Sequence, residues 1–165
     1  MAKLLKRSVL ITLLLSACVY FGCANLPRDP KETLRQLQSR PMRVGLIEHS
    51  PWVVRTSGEP AGVEVALIRN FASELGITVD WHWGGEEQLE ALEHYQLDVV
   101  LGGLTDQTPW RTYVGLTSPY YEENKIKHVI AVPPGENALV KRLDEFLYKK
   151  RSDIQNLLQQ EAAKK

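Results

Sequence analysis

Four histidines, two adjacent glutamates and two cysteines are the residues of this 165-residue chain whose chemistry could support catalysis or metal binding. His49, His82, His94 and His128 are scattered, without the short spacings by which zinc and its relatives are gripped. His82 sits in the alternating run "ITVDWHW" and reads as one outward residue of a strand. Glu86 and Glu87 are neighbours, so on a helix they face different directions and cannot flank one bond as an acid and base. Cys18 and Cys23 are the two cysteines, and none follows Ala24, which removes disulfides and thiol nucleophiles from the rest of the chain. G-x-S-x-G, P-loop and H-E-x-x-H patterns are absent from the sequence. An enzyme is not expected, nor a metal or organic cofactor. Gly103 and Thr105 are of another kind. They follow the apolar run "LDVVL", at the strand edge where open α/β sheets bind ligands. The competing reading is a tight strand-exit turn, with Thr108 as the cap of a helix beyond it.

Alternating strands and helices must position these residues. "RVGLIE" reads as a short buried strand, and "PWVVR" as an extended piece closed by the turn "TSGEP". In "GVEVALIRNFASELG", Val63, Leu67, Phe71 and Leu75 recur every four residues on one helix face, and Gly76 stands at the C-terminal cap. "ITVDWHW" alternates as a strand does. "GEEQLEALEHYQ" is a helix with Leu89 and Leu92 inward and acids in its first turn, where the dipole favours them. "LDVVLGGLT" is apolar enough for a central parallel strand. "KHVIAVPP" is a further strand. "NALVKRLDEFLYKK" is a helix using Leu139, Leu143, Phe146 and Leu147, and "DIQNLLQQEAAKK" continues or restarts it. The class is α/β, an open and mostly parallel sheet flanked by helices.

The ends differ from this body. Residues 1–17 combine Lys3, Lys6 and Arg7 with an apolar stretch of about ten residues, the form of a secretory signal and too short for a bilayer. "LSAC", Leu15 to Cys18, resembles a lipobox, which makes Cys18 the expected lipidated residue. Simple signal-peptidase cleavage, a retained anchor and Cys23 as the modified thiol are the alternatives. Residues 18–41 then form a linker in which Asp29 caps a short helix carrying Leu34 and Leu37, spacing the body from the membrane. Residues 42–165 form one lobe. Without the leader, 17 basic residues stand against 20 acidic ones, so no electrostatic footprint for nucleic acid exists.

Taken in order, "RVGLIEHSPWV", "GEPAGVEVALIRNFASELG", "LEALEHYQLDVVLGGLT", "TPWR" and "LTSPYY" resemble family 3 extracellular solute-binding proteins, which serve ABC importers of polar amino acids and similar solutes. The likeness runs from about Arg43 to Tyr121. It implies a periplasmic or other extracytoplasmic location, a small polar ligand such as an amino acid, and an ABC permease as partner. It also implies site residues. Arg111 in "TPWR" would clamp a ligand carboxylate with its planar fork. The backbone of Gly103 and the hydroxyl of Thr105 would meet the ligand's amino and carboxylate groups. Trp52 would cover its side chain, and Glu48 would receive an ammonium group. Against these stand a surface arginine paired with an acid, core packing for Trp52 and an exposed strand-end acid for Glu48. The interval from Gly103 to Arg111 is one residue longer than the family pattern, and that before "SPYY" one shorter, which changes how Arg111 is aimed.

The family's fold is two α/β lobes that close on the ligand, the second inserted after the "SPYY" region. Here "HVIAVPPGENALVKRLDEFL" resembles the segment returning to the first lobe, and only the polar join "EENKIK" lies between. The expectation is a single lobe. A lone lobe leaves much of the ligand in water, so affinity in the high-micromolar to millimolar range, about −4 to −6 kcal/mol, is expected, unless another protein covers the open site. Tyr120 and Tyr121 at the crossover would then cover the sheet edge. The second functional expectation is an interaction or sensor lipoprotein that has given up ligand capture.

Overall fold

The computed structural model describes residues 29–162; the leader with Cys18 and Cys23 lies outside them. The elements run α1 (Thr33–Gln36), β1 (Met42–Ile47), α2 (Val63–Leu75), β2 (Val79–Gly84), α3 (Glu87–Glu93), β3 (Val99–Leu101), a 3-10 turn (Pro109–Thr112), β4 (Gly115–Leu116), β5 (Tyr121–Glu123), β6 (Ile126–His128), β7 (Ala131–Val132), α4 (Asn137–Lys149) and α5 (Arg151–Ala162).

Five strands form one sheet in the order β2-β1-β3-β7-β4. β1 pairs in parallel with β2 and β3, whereas β7 runs antiparallel to both β3 and β4. Four strands therefore point one way and β7 alone points back. β3, apolar throughout, lies at the centre and is fully buried, as a strand covered on both faces must be. Alternation along the strands sorts the core into two layers. Val44, Leu46, Val99, Leu101 and Val132 pack with Leu67 and Phe71 of α2 and Leu143 and Phe146 of α4. Val100 and Ala131 face the other way, onto Leu89 and Leu92 of α3 and Val114 beyond the 3-10 turn. The four-residue period of α2 buries Val63, Leu67 and Phe71, and Gly76 closes the helix in a left-handed conformation.

Three local expectations give way to different structure. The join "EENKIK" is a tight hairpin rather than a loop. Tyr121 to Glu123 pair with Ile126 to His128, and Asn124 and Lys125 both take positive φ, the geometry of a two-residue hairpin turn. "KHVIAVPP" divides into β6, which belongs to this hairpin, and β7, which enters the main sheet.

The third difference is in the linker. Its helix packs on the lobe, with Leu37 inside the main core. Asp29 does not cap that helix; Glu32 occupies the cap position and gives it no side-chain hydrogen bond. Long-range partners replace the local cap. The Lys31 and Thr33 N–H groups donate to Glu136 at 2.7 and 2.6 Å, and Asp29 Oδ1 accepts from Ala138 N–H at 2.7 Å in the first turn of α4. Each segment thus supplies the carboxylate that the other helix start lacks.

Candidate ligand-binding site

The carboxyl ends of β1 and β3 carry the site. β1 ends at Ile47 and leads into Glu48, His49 and the Pro51–Trp52 loop, while β3 leads into Gly102 and Gly103. His49 and Val53 exchange backbone hydrogen bonds of 2.9 Å in both directions, which folds the first loop back on itself. His49 Nδ1 lies 2.8 Å from the Gly102 carbonyl and so joins the two loops. Gly103 has φ +62°, and a Cβ there would sit 2.4 Å from Trp52 Cδ1 and 2.6 Å from His49 Nδ1. Both the left-handed backbone and the close approach demand glycine.

Below this turn is a buried acid. Glu64, in the first turn of α2, is 0% exposed. Its Oε2 accepts from the N–H groups of Gly102 at 2.8 Å and Gly103 at 3.0 Å, and its Oε1 from the Tyr120 hydroxyl at 2.6 Å. Burial raises the Glu64 carboxyl above the ordinary range, against the pull of these hydrogen bonds and of nearby His49. Burial beside this acid also drives the Tyr120 phenol well up. Three donors and no acceptor aimed at one carboxyl group describe a place for a carboxylate.

Aromatic rings close the underside. Trp52 is 6% exposed and stacks on His128 with centroids 4.0 Å apart. Tyr121 and Tyr120 flank it at 5.7 and 6.1 Å. Thr105 bridges to His128, and Asp106 N–H donates to the Lys127 carbonyl at 3.0 Å, so the turn after β3 is zipped to β6. His128 is 8% exposed, and its Nδ1 is buried without a hydrogen-bond partner. Burial lowers its basicity.

Trp52, Gly103 and Thr105 are therefore brought together around His128. Trp52 is the floor of this cluster, with the rings of Tyr120, Tyr121 and His128 packed around it. The N–H of Gly103 is engaged by Glu64 and not free for one. Thr108 is the helix cap that the sequence offered, its hydroxyl accepting from Trp110 N–H at 3.4 Å. Arg111 is carried on that 3-10 turn, which Thr108 N–H ties to the Thr105 carbonyl at 3.0 Å. Its side chain is exposed, and among the described residues no ion pair includes it. Glu48 stands apart from the cluster. It pairs with Arg55 at 3.5 Å, and the Arg55 guanidinium lies 4.0 Å above the Trp83 ring. Among the described residues no three His, Cys, Asp or Glu side chains are grouped to hold a metal, and no helix is long and apolar enough to cross a membrane.

A search by family finds a match over residues 42–162 to the bacterial extracellular solute-binding proteins, family 3. The chain belongs to that family. The described residues form a single lobe of that fold, in which β5 and β6 are joined by a two-residue turn. The "Probable ABC transporter arginine-binding protein ArtJ" of Chlamydia trachomatis is 35% identical over 81 residues, 48% of this chain and 31% of the relative. "Membrane-bound lytic murein transglycosylase F" of Vibrio campbellii is 32% identical over 106 residues, 61% of this chain and 19% of the relative. This family 3 chain thus spans only 19% to 31% of the length of these relatives.

Solved structures agree on the fold. The arginine-bound form of domain 1 from TmArgBP superposes with a TM-score of 0.62 at 20% identity, covering 72% of this chain and 98% of the other. An amino acid ABC transporter substrate-binding protein from Streptococcus pneumoniae, bound to L-arginine, gives 0.71 at 10% identity, covering 80% and 98%.

Sequence reasoning passed over Glu64, His128 and His49 as functional candidates. Only Glu64 left a signal: an acid inside the apolar run "GVEVAL", between Val63 and Val65, which are both buried.

Proposed function

We propose that this chain is an extracytoplasmic lipoprotein, anchored through Cys18, which binds an amino-acid-like solute in connection with an ABC importer. The observation that carries this reading is Arg111. An exposed guanidinium without an ion pair among the described residues follows the Gly103–Thr105 turn on a loop tied back to it, and its fork fits a ligand α-carboxylate. Thr105 adds a hydroxyl, and Trp52 supports the turn from below. The arginine-bound form of a lone domain 1 in a structural neighbour supports the idea that one lobe suffices to hold an amino acid. Enclosure by one lobe is partial, so affinity is modest, with Kd in the range of about 0.1–1 mM.

A second reading is a sensor or interaction lipoprotein that meets a protein partner with the open face. Large exposed apolar side chains favour it: Tyr113, 55% exposed beside the 3-10 turn, and Ile126, 52% exposed on the hairpin. The similarity to a murein transglycosylase, a protein not named as a transporter, points the same way. A thermal-shift screen of amino acids and small carboxylates separates the two. Saturable stabilisation that disappears in Arg111→Ala supports solute binding, whereas no shift at millimolar ligand supports the partner reading.

A further inference from the structure

Glu64 touches three of the segments that build the candidate site. Its backbone N–H donates to the Trp52 carbonyl at 3.0 Å, and the preceding Val63 N–H to the Pro51 carbonyl at 3.0 Å. Gly62, at the start of α2, permits this approach, since a Cβ there would lie 2.4 Å from the Trp52 carbonyl oxygen. The side chain then holds the Gly102 and Gly103 amides with one oxygen and the Tyr120 hydroxyl with the other. One residue thereby joins the loop after β1, the turn after β3 and the crossover before β5.

We infer that Glu64 is the positioning residue of this site: its carboxylate fixes the Gly102–Thr105 turn and the Tyr120 crossover as one rigid unit. The inference rests on the solute-binding reading only for its effect on ligand. A fully buried carboxylate is costly, and an apolar residue at this place on α2 would join the core at no such cost. What the acid adds is direction. Two consecutive amides converging on Oε2 impose the left-handed turn at Gly103, and that turn sets the path of the chain toward Thr105 and Arg111. Tyr120 reaches the same carboxylate from 56 residues away in sequence, so crossover and turn cannot shift independently.

Amide hydrogen exchange by NMR on the full chain tests this, with ligand titration beside it. Glu64→Gln replaces one acceptor oxygen with an N–H donor, and Tyr120→Phe removes one donor while keeping the ring in its aromatic packing. Glu59→Gln, an exposed acid paired with Arg69, is the control. In a folded Glu64→Gln protein the Gly102 and Gly103 amides should exchange at least about tenfold faster, while amides of Val99 to Leu101 keep their protection. Amino-acid affinity should fall about tenfold in the same variant. Tyr120→Phe should loosen the same two amides to a smaller extent, and it carries the test if Glu64→Gln does not fold. Unchanged exchange at Gly102 and Gly103 would overturn the inference, as would acceleration spread uniformly over the sheet or wild-type affinity with a loosened turn. If the wild-type protein binds no amino acid, the solute-binding reading fails, and the exchange measurement still decides the role of Glu64.

Discussion

The rings of Trp52 and His128 lie 4.0 Å apart, inclined by 33°, and this stack joins the loop after β1 to the end of the β5–β6 hairpin. His128 is held below the ordinary histidine basicity by burial. The Gly103 backbone and Glu123 pull it up, and His49 adds to the depression. A base that is harder to protonate when folded takes up fewer protons than the unfolded chain does. Stability is therefore retained above the unfolded value near pH 6.5 and falls as pH drops below it. Urea midpoints at pH 7.5 and 5.5 should differ in the wild type and differ less in His128→Phe. At pH 7.5 the variant should lie close to wild type, because losing the unpartnered Nδ1 offsets losing the hydrogen bond to the Gly103 backbone.

Asp98 lies at the amino end of the central strand, just before β3. Its carboxylate takes Arg40 at 2.6 and 2.8 Å and Arg43 at 2.8 and 3.2 Å, as well as the Arg43 N–H at 2.9 Å. Burial pushes this carboxyl up, and the hydrogen bonds from Arg40 and Arg43 more than reverse that, leaving it below the ordinary range. An acid lowered in this way contributes stability above the unfolded value near pH 4, lost as pH falls through the folded one. Asp98→Ala strands two arginines and should cost about 3 kcal/mol in denaturant unfolding at pH 7. Asp98→Asn should flatten the acid limb of the stability profile.

The exchange of caps between Asp29 and Glu136 makes α1 part of the lobe. Removing Glu136 orphans the Lys31 and Thr33 N–H groups. Glu136→Ala should destabilise by about 1–2 kcal/mol, and limited proteolysis should cut first between residues 29 and 41. Wild-type resistance of that segment in the variant would mean that Leu37 alone holds it.

Arg55 occupies the acid and the aromatic face that a cationic ligand side chain would seek, pairing with Glu48 and lying over Trp83. Arg55→Ala should raise affinity for arginine and lysine relative to neutral amino acids by a few-fold, the size of an exposed ion pair or cation–π contact. Competition titrations with arginine and a neutral amino acid measure the ratio.

Much of the lobe was legible because it is written locally. The four-residue period of α2, the Gly76 cap, the apolar run of β3 and the Leu139–Leu147 face of α4 depend on neighbours in sequence. The unread features depend on partners far away. Glu64 meets Gly102 across 38 residues, Asp98 meets Arg40 across 58 and Glu136 meets Thr33 across 103. No periodicity announces such pairs. The hairpin was hidden for another reason: Asn124 and Lys125 adopt left-handed backbone without a glycine to signal it. Gly103 and Thr105 were legible as the turn that follows β3, and Thr108 as the cap beyond it. Trp52 was legible as an aromatic at that edge, but its burial beneath the turn depends on His128, which arrives from the hairpin.

Isothermal titration of the purified protein with a panel of amino acids, repeated on Arg111→Ala, decides whether this lobe captures a solute through Arg111. Saturable one-to-one binding with Kd of about 0.1–1 mM is expected, abolished in Arg111→Ala. That variant should stay within about 0.5 kcal/mol of wild-type stability, since the side chain is exposed. Absence of saturation for every amino acid at about ten times that range, or undiminished binding in Arg111→Ala, would contradict it.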